Sequence, residues 1–210
     1  MKKVFMGCAA ILLVTAQVFS AMTAPQPFTF GLSSTDWSET LNVTKFDTSL
    51  GTLTAVHVAI AGSTNSSLTI VNTSSKKDST GNANCQITIT LTDSGALNET
   101  LTLSPVAQPY TLTKGTSTTL SGFVANNNAT SVLSVPAILT AFTGPGTITL
   151  NLNAVGSTDL FTTGGNTFID EDSGINAGST VSISYEYIPE PATIALLSIG
   201  ALTVLRKKKK

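Results

Sequence analysis

Thr52-Leu53-Thr54-Ala55-Val56-His57-Val58-Ala59-Ile60 is the stretch on which the fold turns. Read at period two, it puts Thr54, Val56, Val58 and Ile60 on one face and Leu53, Ala55, His57 and Ala59 on the other. Both faces are partly apolar and rich in β-branched or small residues. That composition suits a strand inside a layered β structure.

The same alternation recurs along the chain. Residues 85–92 set Cys85, Ile87, Ile89 and Leu91 on one face, and residues 147–152 alternate Ile148, Leu150 and Leu152. Residues 180–188 close the series with Val181, Ile183, Tyr185 and Tyr187 opposed to Ser182, Ser184 and Glu186. Residues 97–104 extend as well, and 110–114 and 118–124 frame a turn at Gly115. Shorter β-prone runs cover 41–44, 68–73 and 138–142, while Pro136 confines 132–137 to an edge. Between them, 61–67, 93–95, the Asn-rich 125–131, 144–146 and 162–166 read as turns, and 74–82 as a solvated loop. Residues 25–38 read as an approach segment. No helical period lasts beyond a few residues here. The expectation is an all-β antiparallel sandwich, jelly-roll-like. A disordered stalk, the alternative for a threonine-rich chain of low charge, accounts less well for the repeated alternation.

Charge narrows the partners. The chain has 11 Lys+Arg and 12 Asp+Glu. Setting aside Lys2, Lys3 and the five terminal cations leaves 11 − 7 = 4 basic residues, and setting aside Glu190 leaves 12 − 1 = 11 acidic ones. The central part is therefore near −7 by this count, which disfavours a nucleic-acid partner. Of the 2 Cys, Cys8 lies in the leading apolar run, so Cys85 has no partner for an internal disulfide. Its place on an apolar face makes it a buried small hydrophobe.

The ends read differently from the middle. Met1-Lys2-Lys3 followed by the apolar run 4–18 has the form of a signal peptide, with cleavage expected after Ser20. Cys8 stands too early in that run to be a lipidation site. At the other end stands Ile188-Pro189-Glu190-Pro191, then the uncharged run 192–205, then Arg206, Lys207, Lys208, Lys209 and Lys210. An apolar run stopped by cations predicts a transmembrane segment with its basic end in the cytoplasm. The run is short, about 21 Å as a helix against a hydrocarbon core of about 30 Å. The expected division is 1–20 signal peptide, 21–187 β-sandwich domain and 188–210 sorting signal.

On Pro189, Glu190, Pro191, the apolar run and the basic tail, the C-terminus resembles the PEP-CTERM sorting signal of bacterial surface proteins. Ile188 stands where family members usually carry valine. The resemblance implies that the motif presents a processing site, that 192–205 is a transmembrane sorting helix, and that Arg206 to Lys210 fix orientation. It implies signal peptidase, the general secretion machinery and a membrane exosortase as partners. It also implies export across the inner membrane of a Gram-negative bacterium to the cell surface or extracellular matrix, with membrane anchoring at least transient. The central part is similar to the choice-of-anchor E domain. That likeness rests on 46–54, on 139–146, on Gly164-Gly165-Asn166 and on the closing strand 180–187. Pro145 departs from the usual residue between the two glycines. No activity, and hence no catalytic residue, comes with that family.

Candidate chemistry is sparse. His57, the only histidine, needs a carboxylate or nucleophile brought to it by folding before it can act as an acid or base. Asp170-Glu171-Asp172 is the candidate cation site, with Asp159 and the Asn166 carbonyl as possible additions and calcium as the ion. Trp37, the only tryptophan, is paired with Tyr110 as a candidate surface for stacking on a sugar ring. Asn42-Val43-Thr44 and three similar triplets match the glycosylation pattern, a match that arises readily in so Asn- and Thr-rich a chain. The functional expectation is an exported, non-catalytic structural or adhesive protein associated with exopolysaccharide or biofilm. A carbohydrate-binding module for that exopolysaccharide is the second expectation, and a secreted hydrolase the third.

Overall fold

The computed structural model describes residues 19–170 and 173–190. In chain order the strands are β1 (Ala21–Met22), β2 (Gln26–Ser34), β3 (Trp37–Thr44), β4 (Gly51–Asn72), β5 (Ser79–Thr92), β6 (Asn98–Leu103) and β7 (Gln108–Leu112). They continue with β8 (Ser117–Leu133), β9 (Thr147–Gly164), β10 (Thr167–Ile169) and β11 (Asn176–Pro189). A seven-residue helix, α1 (Pro136–Phe142), joins β8 to β9.

The strands form two antiparallel sheets. Sheet A runs β8–β4–β11–β2, with β1 beside β11 and β10 beside β4. Sheet B runs β3–β9–β5–β6, with β7 also beside β5. The pairings nest. β5 with β6 and β7 is innermost, then β4 with β8, β3 with β9, and β2 with β11. Successive pairs fall alternately in sheet B and sheet A. One long hairpin has been rolled over itself, which is the winding of a jelly roll.

Period-two alternation builds the core. Val56, Val58, Ile60, Leu68 and Ile70 of β4 and Val181, Ile183 and Tyr185 of β11 face inward from sheet A. Cys85, Ile87, Ile89 and Leu91 of β5 meet them from sheet B with Leu150, Leu152 and Ala154 of β9. A register slip opposite Glu186 and Tyr187 resets the alternation of β4 between Ala55 and Val56, so Leu53 and Ala55 are buried as well.

Several expectations are corrected. Residues 61–67 and 125–131 are not turns but the middles of two long paired strands. The inward positions of the first are Gly62, Thr64 and Ser66, which hide the apolar pattern while remaining buried. The two hydroxyls are satisfied there: Thr64 Oγ1 donates to the Asn176 carbonyl at 2.6 Å, and Ser66 Oγ accepts from the Asn176 N–H at 3.0 Å. In β8 the extra residue is Gly122, at φ 83, which forms a bulge opposite Ser66 and Ser67. Residues 26–34 of the supposed approach segment are the edge strand β2. Pro136 opens a helix rather than marking an edge strand, the one helical position where its missing N–H costs nothing.

The fold class is corrected at the C-terminus. Among the described residues no helix is long and apolar enough to cross a membrane. The all-β sandwich stands for the described residues, and the transmembrane sorting helix, with the transient membrane anchoring that depended on it, is not carried forward. Residues 192–205 lie outside the described residues, as do Pro191 and Arg206, Lys207, Lys208, Lys209 and Lys210. Residues 1–18 of the expected signal peptide do too.

Candidate functional site

The outer face of sheet A is not flat. At its middle, Gly62 faces inward, and a Cβ there would lie 2.8 Å from Ile89 Cδ1 and 2.9 Å from Leu101 Cδ2. The missing side chain lets β4 sink toward sheet B. Beside it the β11–β2 ladder slips register at Gly178. The result is a trough of about 540 Å³ on the solvent side, crossing four strands.

Register sets the lining. Thr29, Thr180, Ala61 and Asn128 form one row across β2, β11, β4 and β8. Ser63 and Asn126 pair in the same direction on the next outward-facing row, and Leu32, 56 % exposed, stands at the β2 wall. No described residue lining the trough is charged. Its polar groups are hydroxyls and amides, and those of Asn126 and Asn128 bond to no described residue.

The residues singled out from sequence fall elsewhere. Trp37 is half-buried on β3, stacked on Phe30 with ring centroids 6.0 Å apart, and its Nε1 donates to the Ala177 carbonyl at 3.3 Å. Tyr110 is buried on β7, at the opposite edge of sheet B. The expected stacking pair is corrected: the two rings sit on different edges, and each is committed to packing. The exposed aromatic on sheet B is instead Phe161, 75 % exposed on β9, in a stretch whose surrounding Thr, Asp and Gly residues masked it.

Asp159 sits on β9 of sheet B beside Asn84, whereas Asp170 follows β10 of sheet A and its N–H donates to Thr69. Glu171 and Asp172 lie outside the described residues. The Asn166 carbonyl, expected to join a cation site, already accepts from Thr73 N–H at 2.9 Å and Thr73 Oγ1 at 3.1 Å. Among the described residues no group of three or more His, Cys, Asp or Glu comes together.

His57 does meet a carboxylate. Its Nε2 lies 3.0 Å from Glu186 Oε2 on the neighbouring strand, on the outer face of sheet A. That hydrogen bond is the main reason the Glu186 carboxyl is held below its ordinary value. The pair is a cross-strand contact. Cys85 is buried as expected, and burial pushes its thiol up to about 11, far from a reactive thiolate. Of the sorting motif, Pro189 is the last residue of β11, paired with Gly51, and Glu190 follows it exposed. Pro189 is thus part of the sheet.

No family model matches the chain, and no curated protein matches it. The resemblances drawn from the motif and from the central segments gain no support from these comparisons. Among solved structures, the chain is similar to one from the T13 IBDV viral particle at 14% identity, over 80% of this chain and 41% of that one, with a TM-score of 0.17. It is similar to the infectious bursal disease virus Gx strain at 15% identity over 83% and 45%, with a TM-score of 0.19. The Gt strain gives 16% identity over 87% and 45%, with a TM-score of 0.16. The chain therefore spans less than half the length of these chains, and likenesses at such TM-scores carry no argument.

Proposed function

We propose that the sandwich is a non-catalytic structural or adhesive module that acts through its outer faces. Export, expected from residues 1–20, belongs to this proposal; membrane anchoring does not. The observation that carries it is the register of sheet B. Across β3, β9, β5 and β6 one outer row reads Ser38, Asn153, Thr90 and Thr100, and the next reads Thr40, Asn151, Thr92 and Asn98. Val155, Thr88 and Thr102 continue the series.

Such a face offers many weak hydrogen-bonding groups at the repeat of a sheet. It carries no fixed charge in these rows to be screened or repelled. Adhesion by many modest contacts needs this kind of surface more than it needs a single deep site. Glycan recognition is the second reading, favoured by the uncharged trough of sheet A.

Beads coated with the purified chain should cluster, and should attach to polysaccharide films, at least several-fold more than albumin-coated beads. Salt should change this little. Behaviour equal to the albumin control would overturn the adhesive reading. Turnover of a glycosidic or ester substrate by the purified chain would move the protein to the hydrolase reading.

A further inference from the structure

We propose that the trough on the outer face of sheet A binds uncharged saccharide units. The inference rests on the adhesive reading and names a ligand class and a site for it. The volume, about 540 Å³, lies in the range of small-molecule sites. Its chemistry selects within that range. A lining without a charged group offers nothing to repay the desolvation of a phosphate, a carboxylate or an ammonium ion. A purely apolar ligand would strip water from the amides of Asn126 and Asn128 and from the hydroxyls of Thr29, Ser63 and Thr180 without replacing it.

A neutral sugar ring answers both constraints. Its hydroxyls donate to and accept from amides and hydroxyls alike, and its C–H face can lie on an apolar wall. Leu32 supplies that wall on one side, and Asn126 and Asn128 stand across the trough from it. The floor is shallow in side chain because Gly31, Ala61 and Gly178 contribute little or none. A ring can therefore approach the backbone. Thr29 and Thr180, whose hydroxyls lie 3.4 Å apart, make a weak contact that a ligand hydroxyl can replace. Neither Trp37 nor Tyr110 takes part.

Affinity electrophoresis of the full chain through gels holding dextran, soluble starch, hydroxyethyl cellulose or alginate tests the inference. Retardation is expected in at least one neutral polymer, and none in the uronate polymer alginate. Ala61→Phe, a change at an exposed position in the middle of the trough, should weaken retardation at least tenfold. Asn128→Ala should weaken it several-fold and Leu32→Ser likewise, while Phe161→Ser on the other sheet should leave it unchanged. The Asn128 and Leu32 variants keep the test decisive if Ala61→Phe fails to fold. Retardation in none of the neutral polymers overturns the proposal, as does retardation untouched by all three trough variants. Retardation in alginate alone also overturns it. Bead attachment that persists in the absence of any saccharide binding removes the trough as a site and leaves the adhesive reading standing. Loss of both removes both.

Discussion

At the Gly51 end of β4 the sandwich closes on aromatic rings, and at the Asn72 end it closes on amides and hydroxyls. At the first end Phe46 packs against Tyr187 and Tyr185 with centroids 5.3 and 5.9 Å away, and Phe142 of α1 lies 6.2 Å from Tyr185. Backbone bonds between Phe46 and Phe142 and between Phe46 and Gly144 fasten the loops over these rings. At the second end the buried side chain of Asn72 holds several loops at once. Its Nδ2 donates to the carbonyls of Lys77 at 3.0 Å and Thr113 at 3.3 Å, and its Oδ1 accepts from the N–H groups of Ser74 and Asn166. Ser79, also buried, shares hydrogen bonds with Thr162 and Thr167. Ring packing is non-directional and tolerates changes that keep volume. A saturated buried amide tolerates no change of donor or acceptor.

That contrast predicts different responses to substitution. Phe142→Ala should carry the largest cost, about 4 kcal/mol, because a fully buried ring leaves a cavity. Phe142→Leu should recover much of that loss. Asn72→Ala should cost about 3 kcal/mol, since carbonyls and N–H groups of three loops lose their partner. Here the conservative change brings no recovery. Asn72→Asp puts an acceptor against the Lys77 and Thr113 carbonyls and should be at least as harmful as Asn72→Ala. Urea unfolding measures all four. Equal recovery by Phe142→Leu and Asn72→Asp would break the comparison. Gly165→Ala sharpens it, because a Cβ there would lie 2.6 Å from Asn72 Oδ1 at a backbone φ of 34. Its cost should exceed about 1 kcal/mol, with amide exchange quickened around the Asn72 loops and unchanged around Phe46.

The strand β11 of the aromatic end was legible in the sequence, and the rest of that end and the amide end were not. Alternating Val, Ile and Tyr marks 180–188, which carries Tyr185 and Tyr187, and 85–92 was likewise found in its place. Phe46, however, lies after β3, and Phe142 ends the helix α1, in a run, 138–142, that reads as β-prone. The all-β sandwich followed from the repeated alternation, although the turn spacing did not hold, since 61–67 and 125–131 are strand. What escaped are the stretches whose inward positions are Gly, Thr, Ser or Asn, such as 61–67. Such residues signal turns by composition, yet here they are buried and satisfied by partners more than a hundred positions away, as Thr64 and Ser66 are by Asn176. The trough escaped for the same reason. Gly62 shapes it, and what makes Gly62 necessary is the approach of Ile89 and Leu101 from the other sheet. Trp37 and Tyr110 drew attention by residue type, but exposure decides whether a ring can stack, and exposure is a tertiary fact.

Smaller effects test the Gly51 end from its polar side. Tyr185 Oη donates to the Thr44 carbonyl at 2.6 Å, beside the Gln26 amide, which donates to the same carbonyl and accepts from the Thr44 N–H. These bonds close the corner between β2 and β3, where no backbone ladder joins the sheets. Burial pushes the Tyr185 hydroxyl up to about 12, so it stays a donor across the ordinary pH range. Tyr185→Phe keeps the ring and should cost about 1 kcal/mol, well below Phe142→Ala. A loss as large as that of the ring deletion would mean that the corner bond, not the ring packing, holds this end.

The smallest effect should appear with acid. Two carboxyls near the Gly51 end are held below their ordinary values. Asp47 is held by the Ser49 N–H at the start of the short 3-10 turn at Thr48–Leu50, and Glu186 chiefly by its bond to His57. A carboxyl whose pKa is lower folded than unfolded adds stability that is fully present above its unfolded value, 3.8 for Asp47 and 4.5 for Glu186. That stability is lost as the pH falls through the folded value. Acid should therefore loosen the aromatic end before the amide end, although rings themselves do not titrate. Asp47 is exposed and Glu186 only half-buried, so the change should be modest. Thermal unfolding followed from neutral pH to below the ordinary carboxyl range should show a steeper fall for the wild-type chain than for Glu186→Gln. His57→Ala should resemble Glu186→Gln. If both variants fall as steeply as the wild type, the cross-strand pair contributes nothing to holding that end, and its closure rests on the rings and the Thr44 corner alone.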